Sequence, residues 1–385
     1  MLPVCMTGSM AQLLLHTAQR MQLGPNAQGK VRMRAIMTTM ASGAAMAVLA
    51  LTVPATASEL PATALTGIGL NGPTVASSRD ELPFWRETIP AASNGQVTME
   101  IQPLDQMGID DATMLRLLSQ GVMDFASMDI SKMAGDDPAF EGCDLAGLTT
   151  TVTDARAACE AWKPVMARKM AESWNAKLMA VGANPPQVFW CRDELAGLND
   201  LRGKKVRVFN ATMNDFIQGI GGTTVSLPFA EVVPALQRGV VDCGVTGSLS
   251  GNTARWWEVA THIYPLSLGW SVNAHAINLD TWNGLDAAVQ EFLLEQFAAY
   301  EDKMWETVQL ATDEGISCNI GEEPCTIGIK ASMTLVPVAD ADREALDNLL
   351  ETEVLRGWAR RCGADCAAEW NETIGQVLGL TAPQG

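Results

Sequence analysis

The chain has 385 residues, 48% hydrophobic and 18% charged, with 26 lysines and arginines against 44 aspartates and glutamates for a net charge of −18. This length and composition suit a globular chain large enough for two domains, and the acidic balance argues against a nucleic-acid partner. With only 3 histidines, triad and metal chemistry are poorly provided for.

Lys30, Arg32 and Arg34 precede an apolar run over 35–53, and Ala55-Thr56-Ala57 supplies the small residues of a cleavage site. Residues 1–57 are therefore expected to be an N-terminal extension and signal peptide, cut after Ala57. Residues 1–29 are unusual ahead of a signal peptide, and a true start at Met33 would account for them. The competing reading, an uncleaved anchor, is weakened by the Ala, Thr and Gly content of the run. The segment holds Arg20, Lys30, Arg32 and Arg34 but no acid, so 26 less 4 leaves 22 basic residues against 44 acidic in the rest, a net −22. An anionic ligand would need a local positive spot against that field.

Residues 62–70 read as the first strand of the mature chain, with Asn71 in the loop that follows. A helix is expected over 78–89, carrying Phe84 and Trp85. Asn94-Gly95 is a hairpin-type turn signal, and 96–102 alternates apolar and polar residues. A helix over 114–121, a strand over 124–128 and a helix over 154–174 complete an α/β domain, and 177–181 leads toward a second. Pro185-Pro186 marks the crossing, and 188–192 opens the second lobe with Trp190 and Arg192. Trp190, Trp256, Trp257 and Trp270 fall near the expected cleft. Trp190 is taken as a candidate wall residue, although tryptophans also serve as core anchors.

The most informative stretch is 200–258. Over 205–209, Val206 and Val208 share one strand face and Lys205 and Arg207 the other, so Arg207 is neither in the sheet core nor free of it. Met213, Phe216, Ile217 and Ile220 then follow at helical spacing, ended by Gly221-Gly222. The strand hands over to the helix around Asn210, where unpaired N–H groups and the helix dipole attract an anion. A guanidinium a few residues earlier matches a carboxylate in bidentate geometry. Residues 223–227 are extended, 229–238 helical, and 240–245 a strand whose only charge is Asp242. This is a βαβαβ unit, and Arg207 and Thr246 lie near strand carboxyl ends, where such sheets bind ligands. Ser248, just beyond, is a further candidate. Ser248 and Ser250 in GSLSG do not match G-x-S-x-G, because Leu249 holds the middle position. No catalytic residue, cofactor or metal site is assigned.

The chain is expected to return to the first lobe near 271–278. Leu285, Val289, Leu293, Phe297, Tyr300, Met304, Val308 and Ala311 then form one apolar stripe. Roughly 28 residues at about 1.5 Å each give a rod of about 42 Å, long enough to brace both lobes; an ordinary surface helix in two pieces is the alternative. A terminal helical region from Ala341 is expected to pack on the second lobe. The expected lobes are 58–184 plus about 273–312, and about 185–272 plus 313–385.

Removing Cys5 leaves eight cysteines, an even number that suits disulfides in an oxidising compartment but allows 105 connectivities. Short spacing suggests Cys318 with Cys325 and Cys362 with Cys366. Cys191 and Cys243 sit at ends of strands that could be neighbours, leaving Cys143 for Cys159. One or two free buried thiols remain an alternative. A zinc site has no C-x-x-C pair to build on.

LRGKKVRV, PFAEVVPALQRGVVD and WWEVA, together with FWRETIPAASNGQVTMEI, LRLLSQGVMDFA and DDPAFEGCDLAGL, occur in the order seen in the DctP-type solute-binding proteins of TRAP transporters. The chain resembles that family over nearly its whole mature length. The resemblance implies an α/β, two-lobed periplasmic binding protein-like fold with a long helix bridging both lobes. It further implies a periplasmic location, a small organic anion as ligand, with dicarboxylates the family default and keto acids, hydroxy acids, sugar acids and sulfonates left open by the altered turn at Thr246, and TRAP membrane permease subunits as partners. By the same resemblance Arg207 clamps the substrate carboxylate, and Asn210 and Phe229 line the pocket. The chain departs from the family at Thr246, which replaces a familiar pocket asparagine, and a second upstream arginine has Arg192 as its nearest counterpart. The same fold would suit a periplasmic ligand sensor for a signalling receptor; a cofactor-free secreted hydrolase is the weaker alternative.

Overall fold

The computed structural model describes residues 59–384, so the expected cleavage after Ala57 lies outside the described residues. Two sheets carry the architecture. The first contains β1 (Thr63–Gly69), β2 (Val97–Pro103), β3 (Phe125–Asp129), β4 (Ala176–Ala183) and β10 (Val272–Asn278) in the order β2-β1-β3-β10-β4. The second contains β5 (Gln187–Cys191), β6 (Lys205–Val208), β7 (Thr223–Ser226), β8 (Cys243–Gly247), β9 (His262–Tyr264) and β11 (Thr334–Leu335) in the order β11-β9-β5-β8-β6-β7. The chain passes from one sheet to the other between β4 and β5, at Pro185-Pro186, and returns between β9 and β10. In each sheet the parallel strands are joined through helical segments, while β10 and β5 run antiparallel to their neighbours.

Asn94 and Gly95 do form a turn, with φ of 51° and 78°. It is not a hairpin: it joins the helix Ile89–Ala92 to β2, and β2 lies parallel to β1. The helix expected over 78–89 is wound in wide π turns over Ala76–Glu81 and Phe84–Thr88.

The long helix is continuous over Ala287–Ile320, 34 residues, or about 51 Å. Asp286 caps its start by accepting from the Ala288 amide at 2.9 Å, and Gly321 ends it with φ 81°. Its first half buries Val289, Leu293, Phe297 and Tyr300 against the first lobe, with Phe84 stacked on Tyr300 at 4.3 Å. Its second half docks on the second lobe, where Asn319 Nδ2 donates to the Ser248 carbonyl at 2.7 Å and accepts on Oδ1 from Asn252 at 2.8 Å. The terminal helices reach both sides. Glu353 and Leu349 lie against Gly219, whereas Trp358 and Trp370 donate to the Pro138 and Gly142 carbonyls at 2.8 and 2.7 Å.

Cys143–Cys159, Cys191–Cys243, Cys318–Cys325 and Cys362–Cys366 are disulfide-bonded. Those eight sulfurs are therefore not metal ligands. Among the described residues no helix is long and apolar enough to cross a membrane.

Candidate functional site

A cavity of about 530 Å³ lies between the two sheets, lined from the first by Ser127, Asp129 and Asn273 and from the second by Arg207, Leu227 and Thr246. Its position follows from topology: β3, β6 and β8 all end at it, as parallel strands in such folds do at ligand sites.

Arg207 is only 3% exposed. Its Nε donates to the Leu227 carbonyl at 3.1 Å and a terminal nitrogen donates to the Val245 carbonyl at 2.7 Å. The guanidinium carbon lies 5.2 Å from the Phe209 ring centre and 5.9 Å from that of Trp256, so two aromatic faces and two carbonyls fix its plane. Burial pulls its pKa down to about 10, with Asp129 opposing, and it stays cationic at neutral pH. Among the described residues no carboxylate lies within ion-pair distance of it. The alternation of 205–209 gives its strand position, but the carbonyls that hold it come from Leu227, just past β7, and from Val245 in β8, and one of its two rings from Trp256.

Lys132 is a second, half-buried cation at the cavity, in the 3-10 turn Ile130–Met133 that follows β3. Its Nζ donates to the Phe209 carbonyl at 2.6 Å and lies 4.8 Å from that ring's centre. Burial lowers its pKa, Asp129 and Asp111 oppose that fall, and Arg207 adds to it. Asp129 accepts from the Ser131 amide and hydroxyl at 2.9 and 2.6 Å and from the Ser271 hydroxyl at 2.8 Å. Burial raises half-buried Asp111 to about 6, against the pull of Lys132. Sequence reasoning missed Asp129, Lys132, Asn184 and Asn273. The first two follow the end of the strand expected over 124–128, so the rule that singled out Arg207 would have found them.

Of the residues singled out from sequence, Arg207, Phe229, Thr246 and Asn71 line the cavity. β8 runs on to Gly247, which puts Thr246 in the strand rather than after it. Asn210 does not line it; its side chain caps the helix Ala211–Gly219, accepting from the Met213 amide at 2.8 Å. The helix start is also filled by the protein itself: Glu141 Oε1 accepts from the Ala211 and Thr212 amides at 3.0 and 3.3 Å. The expected anion corner is thus occupied by the Glu141 side chain.

Arg192 lies elsewhere. Because β5 is antiparallel to β8, its first residue, Gln187, faces the cavity while Arg192 lies past the far end, 3.1 Å from Asp193 and 3.9 Å from Asp242. Trp190 is fully buried one layer behind the wall, edge-on to Trp256 at 6.1 Å, and Trp256 in turn stacks on Phe229 at 5.6 Å. Ser248 is buried beneath Gly315 of the long helix, and Ser250 reaches the cavity instead.

Ser127 Oγ lies 2.7 Å from His275 Nδ1, and Glu81 Oε1 lies 3.5 Å from the same nitrogen. A triad needs serine and acid on opposite ring nitrogens. Here both crowd Nδ1 and Nε2 has no partner, so the acid does not orient the imidazole with its other nitrogen toward the serine.

The model for the DctP family, described as bacterial extracellular solute-binding protein, family 7, matches residues 76–350. The chain is 23% identical over 269 residues to the sialic acid-binding periplasmic protein SiaP of Vibrio cholerae, covering 69% of this chain and 83% of that one. Among solved structures it is similar to DctP7 of Bordetella pertussis, an extracytoplasmic solute receptor binding pyroglutamic acid, with TM-score 0.71 and 20% identity over 81% of this chain and 99% of that one. A TRAP periplasmic solute binding protein of Desulfovibrio salexigens with bound orotic acid gives TM-score 0.71 and 19% identity, covering 82% and 99%. With the two-sheet architecture, the bridging helix and a family match spanning both sheets, the chain belongs to the DctP family of bacterial extracellular solute-binding proteins.

Proposed function

We propose that the protein is the extracytoplasmic receptor of a TRAP transporter, which binds a small organic anion at Arg207, encloses it between the lobes and delivers it to the membrane permease without covalent chemistry. One observation carries this reading: a buried guanidinium, held by two carbonyls and two rings, lines the cavity and has no side-chain carboxylate within ion-pair distance among the described residues. Burying an uncompensated charge is costly unless a partner completes it, and a ligand carboxylate would do so. The relatives described above, which bind sialic, pyroglutamic and orotic acids, support an organic acid as the class. Closure would follow from contacts made only when both walls reach the ligand.

The test is calorimetry of the mature chain against a panel of small carboxylates and sulfonates, with Arg207→Ala and Arg207→Lys alongside. Losing one partner of a buried charge pair costs about 3 to 5 kcal/mol, so Arg207→Ala should weaken binding by more than about a hundredfold. Arg207→Lys keeps the charge and guards against simple misfolding; it should bind weakly, because the fork is gone. Tight binding retained by Arg207→Ala would sink the proposal.

A further inference from the structure

We propose, on the premise that Arg207 holds the anionic group, that the ligand carries one negative charge only and that its far end is a neutral hydroxyl or amide read by Asn184 and Asn273, with Asp129 rejecting a second anionic group.

Charge leads to the first half. Two cations line the cavity, but they differ. Lys132 gives a hydrogen to the Phe209 carbonyl and sits in the fields of Asp129 and Asp111. Arg207 has a single acid, Asp129, acting on it, with Lys132 as a neighbouring cation. On the opposite wall Asp129 is paired across the sheet with Asn273, and its hydrogen-bond partners are all neutral. A second carboxylate laid against that wall would meet the like charge of half-buried Asp129 instead of a counter-ion.

Unpaired polar atoms lead to the second half. Asn184 is 9% exposed; its Nδ2 is fixed by the Ser271 carbonyl at 3.0 Å, which leaves Oδ1 without a partner. Asn273 is 2% exposed and its Nδ2 is unpartnered, as is Oγ of Ser250, 3% exposed. All three side chains line the cavity. Buried groups of this kind are normally satisfied, and an acceptor and a donor on one wall suit a ligand hydroxyl or amide, which offers both. A site built that way discriminates against analogues lacking the group, because its own atoms are then left unpaired.

Matched pairs test this by calorimetry: glycerate against tartronate, gluconate against glucarate, and pyroglutamate against glutarate, with propionate and hexanoate as plain acids. Within at least one pair, the wild-type chain should prefer the singly charged, hydrogen-bonding member by at least about tenfold. Asp129→Asn, which keeps the shape of the side chain, should narrow that gap by improving the dianion. Asn273→Leu should cost about tenfold for the hydroxyl- or amide-bearing acid and little for the plain acid of the same length. Preference for the dianions, with binding still abolished in Arg207→Ala, would overturn this inference and leave the anion receptor standing. Preference for the plain acids would overturn the assignment to Asn184 and Asn273. Binding of none of these, with neutral ligands binding instead, would bring down both readings.

Discussion

A buried arginine without a carboxylate partner is an unusual expense for a fold, and at Arg207 the expense is met by backbone carbonyls and ring faces. Glu141 shows the complementary case. It is 1% exposed and closes the amide end of the helix after β6, and burial raises its carboxyl to about 7 from an ordinary 4.5, with Arg361 opposing. The folded chain therefore holds this proton where the unfolded chain has released it, so its contribution to stability is complete below about 4.5 and lost as pH rises toward about 7. Glu141→Gln keeps the acceptor for both amides and removes the charge. Denaturant midpoints measured from pH 4.5 to 7 should fall less in that variant than in the wild type; parallel curves would show that Glu141 does not titrate there. The position of Arg207 was legible from five residues of alternation. The occupied helix corner was not, because its occupant comes from 70 residues upstream.

At the scale of elements, the long helix joins the lobes by fitting a glycine where another residue would collide. A Cβ on Gly315 would lie on Ser248 Oγ and 2.9 Å from its Cβ. Gly315→Leu should lower stability by about 1 to 3 kcal/mol through overpacking, read from chemical denaturation. Gly284→Ala, with open space around it, serves as the control and should leave the midpoint nearly unchanged. The stripe Val289 to Ala311 was legible because a 3.6-residue period needs no partner to be seen. Strand direction was not: β5 looks like any short apolar strand, and its antiparallel pairing depends on where β8 and β9 lie. That single reversal moves Arg192 to the edge away from the cavity and puts Gln187 beside it. The turn at Asn94-Gly95 was misread for the same reason, since the dihedrals of a turn do not say which elements it joins.

For the whole molecule, the chain carries a net charge of −18, and the cations lining the cleft are Arg207 and Lys132, the second set beside Asp129 and Asp111. The chain crosses twice between the sheets and one helix spans both, the connection pattern of folds that close about a hinge. The overall plan was readable because the order of strands and helices, the two crossings and the quoted motifs agree at different levels. The four disulfides carry a consequence for assembly. Each joins a cysteine to the next one along the mature chain, with separations of 16, 52, 7 and 4 residues, so every bridge closes before the following pair begins. A chain emerging amino end first into an oxidising compartment meets its correct partner as the first available one, and an oxidase that simply couples thiols in order of appearance makes the native set. The yield of correctly bridged protein exported by cells lacking a periplasmic disulfide isomerase should therefore equal that from cells that have it; a strong need for the isomerase would mean that wrong pairs form first. Export and covalent maturation can then proceed as one directional process, without a proofreading step.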